Sequence, residues 1–101
     1  MSHINAKELI KKAYDNGYAI PAFNTQGGHY DISRAIVETA AEEKAPVILM
    51  AYEANLEYTG YDGFSAIGRH LVDKYSATVI LHLDHASCMA NLRAAAEAGF
   101  D

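Results

Sequence analysis

Apolar residues recur along the chain in two alternating rhythms, and their order predicts the architecture. Ala6, Leu9, Ile10 and Ala13 follow helical spacing, with Asn5 placed as N-cap and Glu8 three residues on. Asn16-Gly17 then closes that helix. Tyr18 to Asn24 reads as a strand, bent or interrupted at Pro21, which has no amide hydrogen to give a ladder. Gln26-Gly27-Gly28 reads as a loop. Ile32, Ala35, Ile36 and Ala40 then mark one face of a helix that ends in Glu42-Glu43-Lys44. Pro46 opens a second strand, Val47 to Ala51, apolar throughout, as in a parallel sheet buried on both faces. Tyr52 to Asp62 reads as a polar, aromatic loop, and Phe64, Ile67, Leu71 and Val72 mark a third helix ending near Tyr75. A third strand runs from Thr78 to Leu83. Ser87 is placed to cap a fourth, alanine-rich helix closed by Gly99, and Phe100-Asp101 reads as the opening of another strand.

A helix followed by three strand–helix units is the beat of a parallel α/β fold, with Ala19, Val47 and Val79 at nearly even intervals. A doubly wound sheet would place a glycine-rich phosphate turn after the first strand, and Gln26-Gly27-Gly28-His29 does not match that fingerprint. The (β/α)8 barrel is the better expectation. Such a barrel takes about 250 residues, so three units in residues 1–101 would be less than half of one, and the chain is expected to be part of a single barrel domain.

Half of the 101 residues are hydrophobic, enough for a real core, and the net charge is −5 without a Lys/Arg cluster. Nucleic acid and anionic membranes are therefore poor partners. The single cysteine, Cys88, excludes an intrachain disulfide framework and fits a reducing compartment. The first residues are polar, with no signal-peptide core, and no apolar run reaches the roughly 20 residues of a membrane helix. These features set a soluble cytoplasmic protein as the expectation.

Chemistry in α/β folds collects at the C-terminal ends of the strands. Asn24, the stretch after Ala51 and Leu83 to His85 meet that criterion and would share one face of a sheet. His82-Leu83-Asp84-His85 places two imidazoles and a carboxylate where an apolar strand surfaces. One reading gives His85 to a divalent metal and Asp84 to proton transfer beside it. The other makes Asp84 the cap of the next helix and His85 a surface residue. His82 and Asp84, two apart, should face the same side, which suits His82 to an outer or core role. Asn24 either hydrogen-bonds a substrate oxygen or caps the turn into Gly27. Tyr52 and Glu53 lie nearest the second strand's end and within reach of a ligand. Tyr58 and Tyr61 are expected to pack on neighbouring helices, Tyr75 and Met89 to fill the core, and Cys88 to be a packed thiol one turn into its helix. His3, His29 and His70 are expected at the surface.

Four stretches together resemble the N-terminal part of the class II, metal-dependent ketose-bisphosphate aldolases. They are Gly17 to Asn24, Val37 to Ala41, Ala45 to Leu49 and Leu81 to His85, with Ala98 to Asp101 also fitting. The first and the Leu81 to His85 stretches are the specific ones. The resemblance implies a (β/α)8 barrel that reversibly cleaves fructose or tagatose 1,6-bisphosphate to dihydroxyacetone phosphate and glyceraldehyde 3-phosphate. It implies Zn2+ that polarises the carbonyl and stabilises the enediolate. It gives His85 as zinc ligand, Asp84 as the acid/base at the C4 hydroxyl, and Asn24 as a residue near the substrate. It further implies a homodimer or tetramer. Family members commonly carry a small hydroxyl or glycine segment after the second strand, where this chain has Met50-Ala51-Tyr52-Glu53. The family's other zinc histidines and phosphate loops belong to the second half of the barrel. The alternative expectation is a non-catalytic half-barrel, stable only as an oligomer.

Overall fold

The computed structural model describes residues 5–101. Helix α1 (Ala6–Asp15) begins where the Asn5 side chain accepts hydrogen bonds from the amides of Lys7 and Glu8, and it ends on Asn16 and the positive-φ Gly17. Strand β1 is only Ala22–Asn24, shorter than the expected Tyr18–Asn24. Pro21 cannot donate, yet its carbonyl accepts the amide of Ile48, so the chain joins the sheet's edge there without extending the strand. Helix α2 (Tyr30–Glu42) leads to strand β2 (Val47–Tyr52).

Residues 53–62 are not a loop. Helix α3 (Glu53–Thr59) follows β2 directly, burying Leu56, and Gly60 at φ 82° separates it from α4 (Tyr61–Tyr75). One buried position in seven residues leaves too weak an apolar stripe to mark a helix in sequence. Strand β3 (Val79–Asp84) and helix α5 (Met89–Glu97) complete the order. Cys88, not Ser87, is the residue before α5, and its side chain makes no capping bond. Met89 is 62% exposed and Cys88 is exposed, so neither is the packed side chain expected.

The three strands form one parallel sheet in the order β1-β2-β3. Side chains alternate across it. On one face Val47, Leu49, Ala51, Val79 and Leu81 pack against Val37 and Ala40 of α2, Leu56 of α3, and Phe64 and Leu71 of α4. Burying such aliphatic and aromatic side chains is worth about 1.5–3 kcal/mol each, so this layer is the fold's main source of stability. The α2 stripe is rotated from the expected one: Ser33, Val37 and Ala40 are buried, while Ile32 is exposed. Ile36 is half-buried against the core as expected, and with Ala35, Pro21 and Phe23 it also lines an apolar cleft of ≈ 490 Å³ at the β1 edge.

The opposite face, expected to be buried too, carries Ile48 and Met50 only half covered. In-register pairing sets Ala22 beside Ile48 and Ile80, Asn24 beside Met50 and His82, and Tyr52 beside Asp84. This face therefore turns from apolar to polar toward the strands' C-terminal ends. At the outer edge of β3, Asp101 exchanges hydrogen bonds with Leu81: its amide donates to the Leu81 carbonyl at 2.9 Å and its carboxylate accepts the Leu81 amide at 2.9 Å. Phe100 packs its ring on Tyr61 and Phe64. Tyr61 thus packs as expected, whereas Tyr58 is 98% exposed because α3 turns it outward. Tyr75 lies half-buried against the core, with its hydroxyl accepting from Arg34 at 2.7 Å. His29 and His70 are exposed as expected, and His3 lies outside the described residues.

Candidate active site

The three strand ends bring together the residues that sequence pattern singled out. Asn24 closes β1, and its side-chain Oδ1 accepts the Gln26 amide at 3.0 Å, which serves the turn. That bond uses the carbonyl and leaves the side-chain NH2 as an exposed donor on the polar face. Thr25, fully buried, locks this end in place. Its hydroxyl donates to the Met50 carbonyl at 2.8 Å and accepts the Gly28 amide at 2.9 Å. Gly27 (φ 76°) and Gly28 (φ 91°) make the tight turn expected of them. A Cβ on Gly27 would lie 2.6 Å from the Asn55 Cβ, so the loop is pressed onto α3 rather than open to cradle a phosphate.

Asp84 ends β3 with its side chain 31% exposed, between two histidines. The His82 Nε2 lies 4.0 Å from one carboxylate oxygen and the His85 Nε2 3.6 Å from the other. The same-side placement of His82 and Asp84 holds, but His82 is exposed and not a core residue. Asp84 does not cap the following helix, which starts five residues later at Met89. His85 has a left-handed backbone, φ 56°, and its imidazole is 73% exposed. A non-glycine residue keeps such a conformation at a cost of about 1–3 kcal/mol, and such residues concentrate at functional sites.

Two neighbours from β2 and α3 hold this loop, and their pairing has no local sequence signal. The ring of Tyr52 meets the His85 imidazole edge-on, with centroids 5.5 Å apart. Glu53 accepts the Ser87 amide at 2.6 Å and also its hydroxyl. These bonds, the hydroxyl first, hold the Glu53 carboxyl below its ordinary range despite some desolvation. Desolvation pushes the nearby Tyr61 hydroxyl above its ordinary value, with the Glu53 charge adding to it.

Imidazole is a ligand Zn2+ accepts, and the His85 ring is 73% exposed with the Asp84 carboxylate 3.6 Å from its Nε2. Among the described residues no three His, Cys, Asp or Glu side chains converge as a metal cluster. The donor set therefore fits one part of a zinc site, and the remaining ligands would have to come from elsewhere.

This parallel α/β sheet carries imidazole, carboxylate and amide side chains at the C-terminal ends of its strands, the end where α/β folds place their chemistry. Residues 4–101 match the family model described as fructose-bisphosphate aldolase class-II, and the chain belongs to that family. It is 36% identical to the 6-phospho-5-dehydro-2-deoxy-D-gluconate aldolase of Bacillus licheniformis, covering 99% of this chain and 35% of that protein. The chain thus spans about a third of that relative's length. Among solved structures it resembles the YdjI aldolase of Escherichia coli K12, with a TM-score of 0.81 and 25% identity over 96% of this chain and 37% of that one. A protein from Coccidioides immitis provisionally assigned as a fructose-1,6-biphosphate aldolase shares the fold, with a TM-score of 0.75 and 23% identity over 91% of this chain and 34% of its own. No helix among the described residues is long and apolar enough to cross a membrane.

Proposed function

We propose that this chain is the N-terminal portion of a (β/α)8 barrel that catalyses the reversible, metal-dependent aldol cleavage of a ketose 1,6-bisphosphate. The products are dihydroxyacetone phosphate and glyceraldehyde 3-phosphate. The observation that carries the reading is the placement of Asp84 against the His85 imidazole at 3.6 Å, at the end of a parallel strand, in a chain of this family. An open β1 edge and an Asp101 already bonded to the outer edge of β3 support a sheet that continues on both sides.

In this reading His85 supplies one ligand to Zn2+, which when bound acts as a Lewis acid on the substrate carbonyl. Asp84, adjacent and half-exposed, takes the proton from the C4 hydroxyl in cleavage and returns it in condensation. Asn24 donates from its free NH2 to a substrate oxygen, because its carbonyl is already engaged with Gln26. His82, close to the other oxygen of Asp84, keeps that carboxylate oriented. The full enzyme is a cytoplasmic homodimer or tetramer acting on a small phosphorylated sugar, without nucleic acid or membrane.

The experiment uses the full-length protein carrying this chain. Release of dihydroxyacetone phosphate is measured with fructose 1,6-bisphosphate, tagatose 1,6-bisphosphate and 6-phospho-5-dehydro-2-deoxy-D-gluconate, before chelation, after it, and after Zn2+ is restored. Cleavage of a ketose bisphosphate that is lost on chelation and recovered with Zn2+ is the expected result. Turnover of only the gluconate substrate would correct the substrate, and chelator-resistant turnover would refute the metal.

A further inference from the structure

The loop that carries His85 is tied to the end of β2 by two residues 34 positions apart. Glu53 opens α3, and its carboxylate takes both the amide and the hydroxyl of Ser87. Two charge-assisted hydrogen bonds from one residue fix both the position and the rotation of its peptide. Ser87 lies two residues beyond His85, whose left-handed backbone persists only where the surroundings impose it. Tyr52 holds the ring of His85 from the other side. Consecutive residues at the β2–α3 junction therefore grip one loop, Tyr52 through its ring against His85 and Glu53 through its carboxylate on Ser87. Nothing in proton transfer or metal ligation as derived above uses Glu53.

We propose that Glu53, acting through Ser87, is a positioning residue that presets the His85 imidazole for a divalent cation. The inference rests on the assignment of His85 as a metal ligand. The physical reason is preorganisation. An imidazole on an exposed, untethered loop must be ordered at the moment of binding, whereas a loop already pinned spends little of the binding energy on ordering. Supports one step removed from a metal typically change its affinity about 10- to 100-fold when removed.

The test uses the full-length protein, stripped of metal and titrated with Zn2+ in competition with a chromophoric chelator. Binding of Co2+, followed by its visible spectrum, reports ligand geometry independently of turnover. Glu53→Ala is expected to weaken Zn2+ roughly 10- to 100-fold and to alter the Co2+ spectrum. Glu53→Gln, which keeps one acceptor oxygen, should recover part of the loss. Ser87→Ala, which keeps the amide bond to Glu53, should lose less than Glu53→Ala. The double variant should be no weaker than Glu53→Ala alone, because both changes remove the same tie. If Glu53→Ala does not fold, Glu53→Gln and Ser87→Ala carry the test. Wild-type affinity and spectrum in the Glu53 variants, with metal lost in His85→Ala, would overturn the positioning role and leave the ligand assignment intact. Metal retained by His85→Ala would overturn the ligand assignment and this inference with it.

Discussion

The aromatic ring of Tyr52 meets the imidazole of His85 at right angles, centroids 5.5 Å apart and planes at 89°. Edge-to-face pairs of this kind are worth about 0.5–1.5 kcal/mol beyond the area they bury. Here the pair joins the end of β2 to the loop after β3. It places an aromatic wall against the side chain on which the proposed chemistry depends.

Removing that wall should be visible at His85 itself. Tyr52→Ala is expected to abolish the ring-current displacement of the His85 ring protons in an NMR spectrum, while Tyr52→Phe preserves it because the hydroxyl takes no part in the contact. Unchanged His85 shifts in Tyr52→Ala would show that the two rings do not pair in solution.

If Asp84 moves the proton without ligating, as proposed, Asp84→Ala in the full-length protein should reduce turnover by orders of magnitude and leave the zinc content close to wild type. The check is kcat alongside metal analysis on one preparation. Loss of zinc in parallel with activity would make Asp84 a ligand instead.

Gly68 lies on α4 where a Cβ would come within 2.7 Å of Leu81 Cδ2, and Leu81 sits in the packed face of β3. Gly68→Ala is therefore expected to destabilise the fold by about 1–3 kcal/mol, the usual range for overpacking a core. The midpoint of urea unfolding should fall accordingly. A variant more stable than wild type by the roughly 1 kcal/mol that alanine gains over glycine inside a helix would mean that α4 rides farther from the sheet than described.

Acid should release the tie between Glu53 and Ser87. The Glu53 carboxyl is held below its ordinary value of 4.5 by the bonds from Ser87. A depressed folded-state value means the ionised form is favoured by folding. The contribution is fully present above 4.5, at neutral pH included, and disappears as pH falls below 4.5 through the lower folded-state value. The Ser87 amide resonance should therefore titrate below the usual glutamate range, and Glu53→Gln should remove that titration. A Ser87 amide that shifts at the ordinary glutamate pH would contradict the tie.

The architecture was legible wherever a single rhythm of apolar positions decided the structure. Val47 to Ala51 and Val79 to Leu81 read as strands because they are short apolar runs containing β-branched residues, set between helical patterns, and Asn5 and Gly17 bracket α1 through backbone chemistry that any helix end needs. Helix α3 was hidden because it buries Leu56 and little else, so its stability comes from its place between β2 and α4. The buried stripe of α2 lies a fraction of a turn from the one its apolar residues predict, since Ser33 is buried while Ile32 is exposed. The placement of Asn24, Asp84 and His85 at one end of the sheet followed from their strand-end positions. The left-handed turn at His85 and the hold of Glu53 on Ser87 did not. They are long-range contacts, made only once β2 and β3 pair, and no local pattern encodes them.

The most direct test is the zinc content of the full-length protein, wild type against His85→Ala, with dihydroxyacetone phosphate release measured on the same samples. The account predicts about one zinc per active site in the wild type, and loss of both metal and product release in the variant. Zinc retained at the wild-type level by a folded His85→Ala protein would contradict it.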